Sequence, residues 1–177
     1  MTTPSLECRV HTFREGALSA VGHDLAIAAE PRSLSVNAAA RTVEVTFDPR
    51  ALRVLGALRG AVVDEGGLSA GDKATIEKAM VQEVLEANRH PEVRFVSRQV
   101  TPSAGGGFAV EGELTLHGVT RPLRFATRAE GPRQVAEIPL DQRDFGIRPY
   151  RALLGALKVK PVVTIHVALR LDDLSAP

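Results

Sequence analysis

The sequence predicts a mainly β protein that contains one amphipathic helix and a short helical turn. Most segments alternate apolar and polar side chains with a period of two, which places every second side chain on one face of a strand. Stretches rich in Gly, Pro, Asn and Ser separate these segments at intervals short enough for hairpins. The chain has 177 residues, the size of one ordinary domain, so we expect a single domain over residues 1–177.

In the first third of the chain, the alternation of apolar and polar residues predicts one strand followed by a three-stranded meander. In the opening strand, over residues 6–13, Cys8 shares a face with apolar neighbours, where a thiol usually acts as a small hydrophobe. Residues 25–29, 34–36 and 43–47 alternate in the same way, and turn-forming residues separate them. We therefore expect these three strands to pair in sequence order.

The middle of the chain departs from the period of two and predicts a helix. Ser69 and Asp72 have the spacing of a capping box. Apolar residues then recur at helical spacing as far as Asn88, and Pro91 ends the run. We expect one amphipathic helix over this region.

Two neighbouring segments have weaker patterns. Asp48 and Pro49 are placed as a helix cap and a first-turn residue, so we expect a short helical turn over residues 51–55. Residues 60–71 are rich in glycine and have no regular pattern, which is typical of a lid, a partner-binding segment or a disordered connection.

The second half of the chain predicts hairpins and a long final strand over residues 159–171. Pro161 lies near the start of that strand, where a missing backbone N–H is tolerated. The count reaches eight or nine antiparallel strands, so the sheet is expected to curl and close, as a barrel or as a two-layer sandwich. The preceding strands are residues 93–97, 108–116, 123–127 and 136–140, joined by turns at residues 101–107, 117–120 and 131–133.

Charge and cysteine usage exclude several classes of protein. Twenty-two Lys and Arg oppose 21 Asp and Glu, giving a net charge of +1, so nucleic acid is not an expected partner. The single cysteine, Cys8, cannot form an internal disulfide. No window approaches the ~18 apolar residues of a spanning helix, and the first residues lack the pattern of a signal peptide. We expect a cytoplasmic protein without stable membrane insertion.

Candidate catalytic and metal-binding groups are sparse in the sequence. No two of the five histidines have a metal-ligand spacing such as H-x3-H, so we expect no metal site. His23 and Asp24 are adjacent and would face opposite sides of a strand, and the glycines at 105–107 connect two strands rather than open a helix. We expect no cofactor and no catalysis. The alternative is an enzyme for an apolar substrate that uses His23, Asp24 or His117 as acid-base groups.

The interior of a closed sheet of about eight strands is either filled by side chains or holds one small ligand. The inward faces consist mostly of Val, Leu, Ile and Ala, and the whole chain has six Phe, one Tyr and no Trp. These side chains fill less volume than aromatic ones. Composition therefore permits a cavity without distinguishing it from a filled core.

Four stretches of the sequence resemble the YceI-like family. Residues 114–123, LTLHGVTRPL, look like its strand-turn-strand signature, and residues 143–147, RDFGI, resemble its second signature. Residues 90–95, HPEVRF, are similar to its strand after the helix, and residues 13–25, ending in GHDL, match the opening of a subset of members. The resemblance implies an extended, lipocalin-like antiparallel β-barrel whose long apolar pore holds a polyisoprenoid or another long-chain amphiphilic lipid.

With this resemblance, we expect a protein that carries, stores or sequesters an apolar chain, and the alternation indicates which residues face the pore. His117 at the signature turn, with Tyr150 and Arg151 in a leucine-rich stretch at residues 149–157, are candidates for a head group. That stretch is either a pore rim or a dimer contact, so a homodimer is a further candidate partner. A filled barrel that acts as an interaction module is another alternative. The expected pore-facing residues are Val43, Val45, Phe47, Phe95, Val110, Leu114, Phe125, Val163 and Ile165.

Overall fold

A computed structural model of the chain describes residues 5–170. The end of the predicted last strand at Leu171 lies outside these residues. The fold is mainly β with one α-helix, as the alternation predicted. In chain order the strands are β1 (Ser5–Thr12), β2 (Arg14–Glu15), β3 (Asp24–Ala28), β4 (Pro31–Asn37), β5 (Thr42–Phe47), β6 (Arg53–Arg59), β7 (Val62–Asp64), β8 (Val93–Pro102), β9 (Phe108–Leu116), β10 (Val119–Ala126), β11 (Arg128–Glu130), β12 (Arg133–Asp141), β13 (Arg151–Ala152), β14 (Leu157–Val159) and β15 (Val162–Arg170).

These strands form three sheets, and neighbouring strands pair antiparallel. The largest sheet has seven strands in the order β11-β12-β15-β1-β3-β6-β7, and the second has five in the order β10-β9-β8-β5-β4. A small sheet, β13-β14-β2, lies beside them. Within residues 5–170 the hydrogen-bonded ladders form these separate sheets rather than one continuous ring.

The two large sheets pack with their apolar faces toward each other. One core cluster combines Val45, Phe95 and Leu114 from the five-stranded sheet with Leu140 and Val163 from the seven-stranded sheet. Such burial contributes roughly 1.5–3 kcal/mol for each large aliphatic or aromatic side chain. The apolar side chains that the alternation places on the inward faces therefore hold the two sheets together.

The helix begins where the capping box predicted. Helix α1 spans Ala70–Ala79; Ser69 Oγ accepts a hydrogen bond from the Asp72 backbone N–H at 3.1 Å, and Asp72 Oδ2 accepts one from the Ser69 N–H at 3.1 Å. A π-helical turn over Met80–Val84 follows, so the predicted run does not stay α-helical as far as Asn88. Ile76 and Met80 pack against a second core cluster, which consists of residues of β3 and β6 together with Leu68 before the helix.

The predicted meander is wrong in its first pairing. Strands β4 and β5 pair, but β3 pairs with β1 and β6 in the other sheet. The Ala29 N–H donates to the Cys8 carbonyl at 2.9 Å, which keeps the chain on β1 until Pro31 starts β4 in the five-stranded sheet. Alternation identifies a strand and its faces but does not specify its partner.

The segment around residues 49–71 also differs from its prediction. Asp48 caps a helical turn that covers only Pro49–Ala51, and residues 53–59 form β6 instead of a helix. Residues 62–64 form β7, where the Asp64 backbone approaches Gly56 so closely that a Cβ at Gly56 would clash with it. Pairing with β3 and β7 overrides the weak local helical signal. The hairpin turns predicted at residues 101–107 and 117–120 are confirmed. The turn at residues 131–133 joins β12 to the short strand β11 rather than to the predicted strand 123–127, which belongs to the other sheet.

Candidate functional site

A cavity of about 560 Å³ lies between the sheets. Strands of all three sheets and helix α1 contribute to its wall, which is mainly aliphatic with some phenylalanine. Among the described residues, no Asp or Glu lines it. The cavity follows from the composition of the inward faces, since small aliphatic side chains cover the sheets without filling the space between them. The polar or charged wall residues are Thr12, Arg14, His23, Thr75, Thr127, Gln134, Gln142, Tyr150 and Lys158.

The structure places all nine residues that were predicted to face a pore on this wall. Five of them, Val45, Phe95, Val110, Leu114 and Val163, are buried. Phe95 and Phe125 form a tilted ring pair with centroids 5.8 Å apart. Contact of these side chains with a ligand remains a prediction. The other four residues, which are only partly buried, are Val43, Phe47, Phe125 and Ile165.

The wall also includes residues that were not among the nine predicted to face the pore. Leu6 and Val10 of β1 line the cavity, and the same alternation that identified the other strands could have identified them. Ile76 and Met80 line it from the helical segment. Their helical spacing predicted an apolar face, but only the fold shows that this face covers the cavity.

One end of the cavity opens to solvent beside the small sheet. Val21 and Tyr150 line the cavity and are also exposed. Arg14 of β2 and Lys158 of β14 contribute cationic groups here. The Arg14 guanidinium donates to the Gly22 carbonyl and forms an ion pair with Asp24 at 3.9 Å. We call this end the mouth.

Tyr150, predicted to meet a head group, lies at the mouth, whereas His117 and Arg151 do not line the cavity. Arg151 is exposed in β13. His117 lies at the β9–β10 turn, where its Nδ1 is 3.2 Å from the Phe145 carbonyl and its Nε2 is 3.0 Å from Glu86 Oε2. The nearby Arg121 donates from Nε to the Asp144 carbonyl at 3.1 Å. The signature turn therefore contacts residues 144–145 rather than the interior.

The matched family is consistent with this architecture. The model of the YceI-like domain matches residues 11–171. The chain belongs to the YceI-like domain family. A UPF0312 protein of Pseudomonas putida strain W619 is 34% identical over 74 residues, which cover 36% of this chain and 38% of that relative. A second UPF0312 protein, from strain GB-1, is 32% identical over a region of the same length.

Two solved structures share the fold of this YceI-like chain. The crystal structure of BcnA from Burkholderia cenocepacia has a TM-score of 0.59 at 15% identity and covers 92% of this chain and 94% of its own. A polyisoprenoid binding domain from Saccharophagus degradans, implicated in plant cell wall breakdown, has a TM-score of 0.56 at 9% identity and covers 93% and 91% of the two chains. At these identities the likeness shows the fold alone. Among residues 5–170, no helix is long and apolar enough to cross a membrane.

Cys8 is the one cysteine of this YceI-like chain, and its thiol lies on the cavity wall. Burial raises the pKa of the Cys8 thiol from 9.0 to about 12. A buried thiol without a nearby base is a weak nucleophile, because the thiolate is the reactive form. Cys8 is therefore part of the apolar wall.

This pKa predicts a pH dependence of stability. The folded chain keeps the Cys8 proton up to about pH 12, while the thiol of the unfolded chain ionises near pH 9, so the free energy of unfolding falls as pH rises between these values. At about pH 10 the loss is about 1.4 kcal/mol. Urea unfolding at about pH 8 and about pH 10 measures it. The Cys8→Ala variant removes this contribution, and an equal pH slope in both proteins would contradict the assignment.

Proposed function

We propose that this YceI-like protein binds a long-chain apolar or amphiphilic ligand, a polyisoprenoid or another lipid, and carries, stores or sequesters it. The observation that carries the proposal is the cavity of about 560 Å³ whose wall contains no acidic residue among those described. Its volume lies within the roughly 300–1,000 Å³ of common ligand sites. The polyisoprenoid binding domain from Saccharophagus degradans, which shares the fold, supports this ligand class.

The energetics of the wall favour a chain over a compact polar ligand. Each CH₂ group removed from water contributes ~0.8 kcal/mol, so a long hydrocarbon binds tightly with few polar contacts. The wall offers aliphatic side chains from both large sheets over most of its surface. A buried polar ligand would instead need hydrogen-bond partners that this wall does not provide along most of its length.

We place the head group of the ligand at the mouth. Arg14 and Lys158 line the cavity there, together with His23 and Tyr150. Two cationic side chains and no acidic wall residue favour a carboxylate, a phosphate or another anionic head group. Tyr150 is the one residue that was also expected at this position from the sequence.

Binding rather than turnover fits the positions of the candidate acid-base groups. His23 lines the cavity, but His117 does not, and the Asp24 carboxylate accepts the Arg14 backbone N–H at 2.8 Å. Of the three candidate groups of the alternative, an enzyme that uses His23, Asp24 or His117 as acid-base groups, only His23 therefore lies on the wall, and no carboxylate of the described residues lines the cavity beside it. The cytoplasmic location and the homodimer stay predictions.

Filling the cavity should weaken ligand binding. Ile165 lies on the wall in β15, so we expect Ile165→Trp to lower the affinity for farnesol or palmitate at least about tenfold by occupying the space of the chain. Isothermal titration calorimetry of delipidated protein measures this affinity. Thr164→Trp is the matched control, because Thr164 is the preceding residue of the same strand and does not line the cavity. Equal loss in both variants, or no binding by the unmodified protein, would contradict the proposal.

Removing a cationic side chain at the mouth should lower the affinity for anionic ligands but not for uncharged ones. We expect Lys158→Gln to weaken palmitate binding about tenfold, which corresponds to about 1.4 kcal/mol, and to leave binding of cetyl alcohol unchanged. The two ligands share the same chain length and differ in head group. Lys160→Gln is the control, since Lys160 is exposed and does not line the cavity. An equal effect on both ligands would place the head group elsewhere.

A further inference from the structure

A cluster of three potential metal ligands lies outside the cavity wall. Glu86, His90 and His117 each offer one ligand atom, and these atoms all lie within 4.8 Å of one another. We propose that this cluster binds one divalent transition-metal ion of the Zn²⁺ class through two imidazoles and a carboxylate. No metal site was predicted from the sequence, because only the spacing of the histidines along the chain was compared with that of metal-ligand motifs. The fold brings His117 to the other two residues from another part of the chain.

The hydrogen bonds of His117 define which nitrogen is available. A carbonyl oxygen can only accept, so the contact of 3.2 Å to Phe145 assigns a proton to Nδ1. In the neutral imidazole the lone pair then lies on Nε2, which faces Glu86 Oε2 at 3.0 Å. Two acceptors at this distance require a cation between them or a proton on Nε2. An Nδ1–H bonded to a backbone carbonyl is the usual second-shell arrangement of a metal-ligating histidine.

The other two residues are positioned for the same ion. The rings of His90 and His117 have centroids 4.2 Å apart. Arg89 donates to Glu86 Oε1 at 2.7 Å, which leaves Oε2 directed at the cluster. The Glu86 carbonyl also accepts the His90 backbone N–H at 3.0 Å, so a tight turn fixes the separation of these two ligands.

The backbone at two of the three residues is in an unfavourable conformation. Glu86 has a φ of 43° and His117 a φ of 52°, in the left-handed region that residues with a side chain rarely adopt. Such positions cluster at functional sites, where the surrounding structure holds them. The π-helical turn over Met80–Val84 ends two residues before Glu86, and π-helical turns are frequent at functional sites as well.

Two histidines and one carboxylate are a common protein ligand set for Zn²⁺, with a fourth position left for water. An ion here would join two separate segments, the end of the helical region and the β9–β10 turn, and that turn also contacts the Phe145 carbonyl. Because the folded chain alone assembles this ligand set, bound metal is expected to stabilise the fold.

Metal binding to EDTA-treated protein tests the proposal. We expect isothermal titration calorimetry with ZnSO₄ to show one ion per chain, and thermal unfolding to show a Tm that rises with zinc and returns with EDTA. The variants His90→Gln and His117→Gln should each weaken zinc binding about 100-fold or more. If His117→Gln does not fold, His90→Gln and Glu86→Gln carry the comparison.

The matched control is His166→Gln. His166 also packs on a histidine, His11, with centroids 4.0 Å apart, and faces Glu137 at 3.9 Å, so it reproduces the composition of the cluster without its compact geometry. It should bind zinc as the unmodified chain does. Absence of stoichiometric zinc binding overturns the proposal. Equal binding by His90→Gln and the unmodified chain also overturns it.

A second inference concerns the surface around the mouth. We define the mouth rim as residues 14–24 and 148–160. Leu18, Val21, Leu153 and Leu154 of this rim are exposed, and a hydrogen bond of 2.9 Å from the Leu18 N–H to the Ala156 carbonyl joins its two halves. Large apolar side chains clustered at the opening of a cavity are typical of an interaction surface.

The charge of the mouth rim indicates its partner. Five cationic residues oppose only Glu15 and Asp24, although the whole chain has a net charge of +1. We infer that the mouth rim docks on an anionic lipid bilayer, with its leucines in the interface and its cations at the phosphates. This inference rests on the proposed function, since it supplies the route by which a lipid reaches the cavity. The cationic residues are Arg14, Arg148, Arg151, Lys158 and Lys160.

Vesicle flotation tests the docking. We expect binding to vesicles of phosphatidylcholine with phosphatidylglycerol, little binding to phosphatidylcholine alone, and loss on adding salt. The double variant Leu153→Asn, Leu154→Asn should lower binding about tenfold or more. Both positions have positive φ, 52° and 57°, which Asn tolerates, so the fold should be preserved. Val62→Asn is the control, since Val62 is an exposed apolar residue of β7 outside the rim.

Palmitate binding measured in parallel separates the two proposals. If the double variant keeps palmitate binding and loses vesicle binding, docking is supported. If the unmodified protein binds palmitate but not anionic vesicles, docking is overturned and the proposed function stands. If the rim variant instead converts a dimer to a monomer in light scattering, without any vesicle binding, the rim is a contact between two copies and the docking proposal fails.

Discussion

The structure depends on burying two apolar sheet faces against each other with side chains too small to fill the space between them. Backbone ladders satisfy the hydrogen bonds of each sheet independently of that space. Among the described residues, no buried side-chain nitrogen or oxygen lacks a partner, so the interior needs no polar ligand to complete it. The wall side chains that face the empty cavity lack van der Waals partners on that side, and a bound hydrocarbon chain supplies them.

Alternation was enough to predict nine of the strands and their inward residues, because the period of two is a local property of the chain; it missed β6 and the short strands. Val110 and Ile165 were assigned correctly to the wall without any knowledge of pairing. Pairing itself is non-local: Ala28 and Pro31 are three residues apart, yet they belong to different sheets. For the same reason, the sequence did not predict the contact between His117 and Glu86. These two residues are 31 positions apart and meet only in the folded chain.

The two signature stretches contact each other in the folded chain. Arg121 and His117, in the first signature, contact the carbonyls of Asp144 and Phe145 in the second. These residues therefore join the β9–β10 turn to the segment after β12, away from the ligand cavity. By contrast, the connection between β2 and β3 and the small sheet form the mouth. The mouth and the histidine cluster thus belong to different parts of the fold.

The separation of the two large sheets has a consequence for ligand selectivity. Within residues 5–170 each sheet ends in edge strands, and side-chain packing rather than backbone hydrogen bonding sets the distance between the layers. Small sliding movements of one layer over the other break no ladder hydrogen bond. We therefore expect the width of the cavity to adjust to the bound ligand, so that this protein binds saturated, unsaturated and methyl-branched chains with similar affinity.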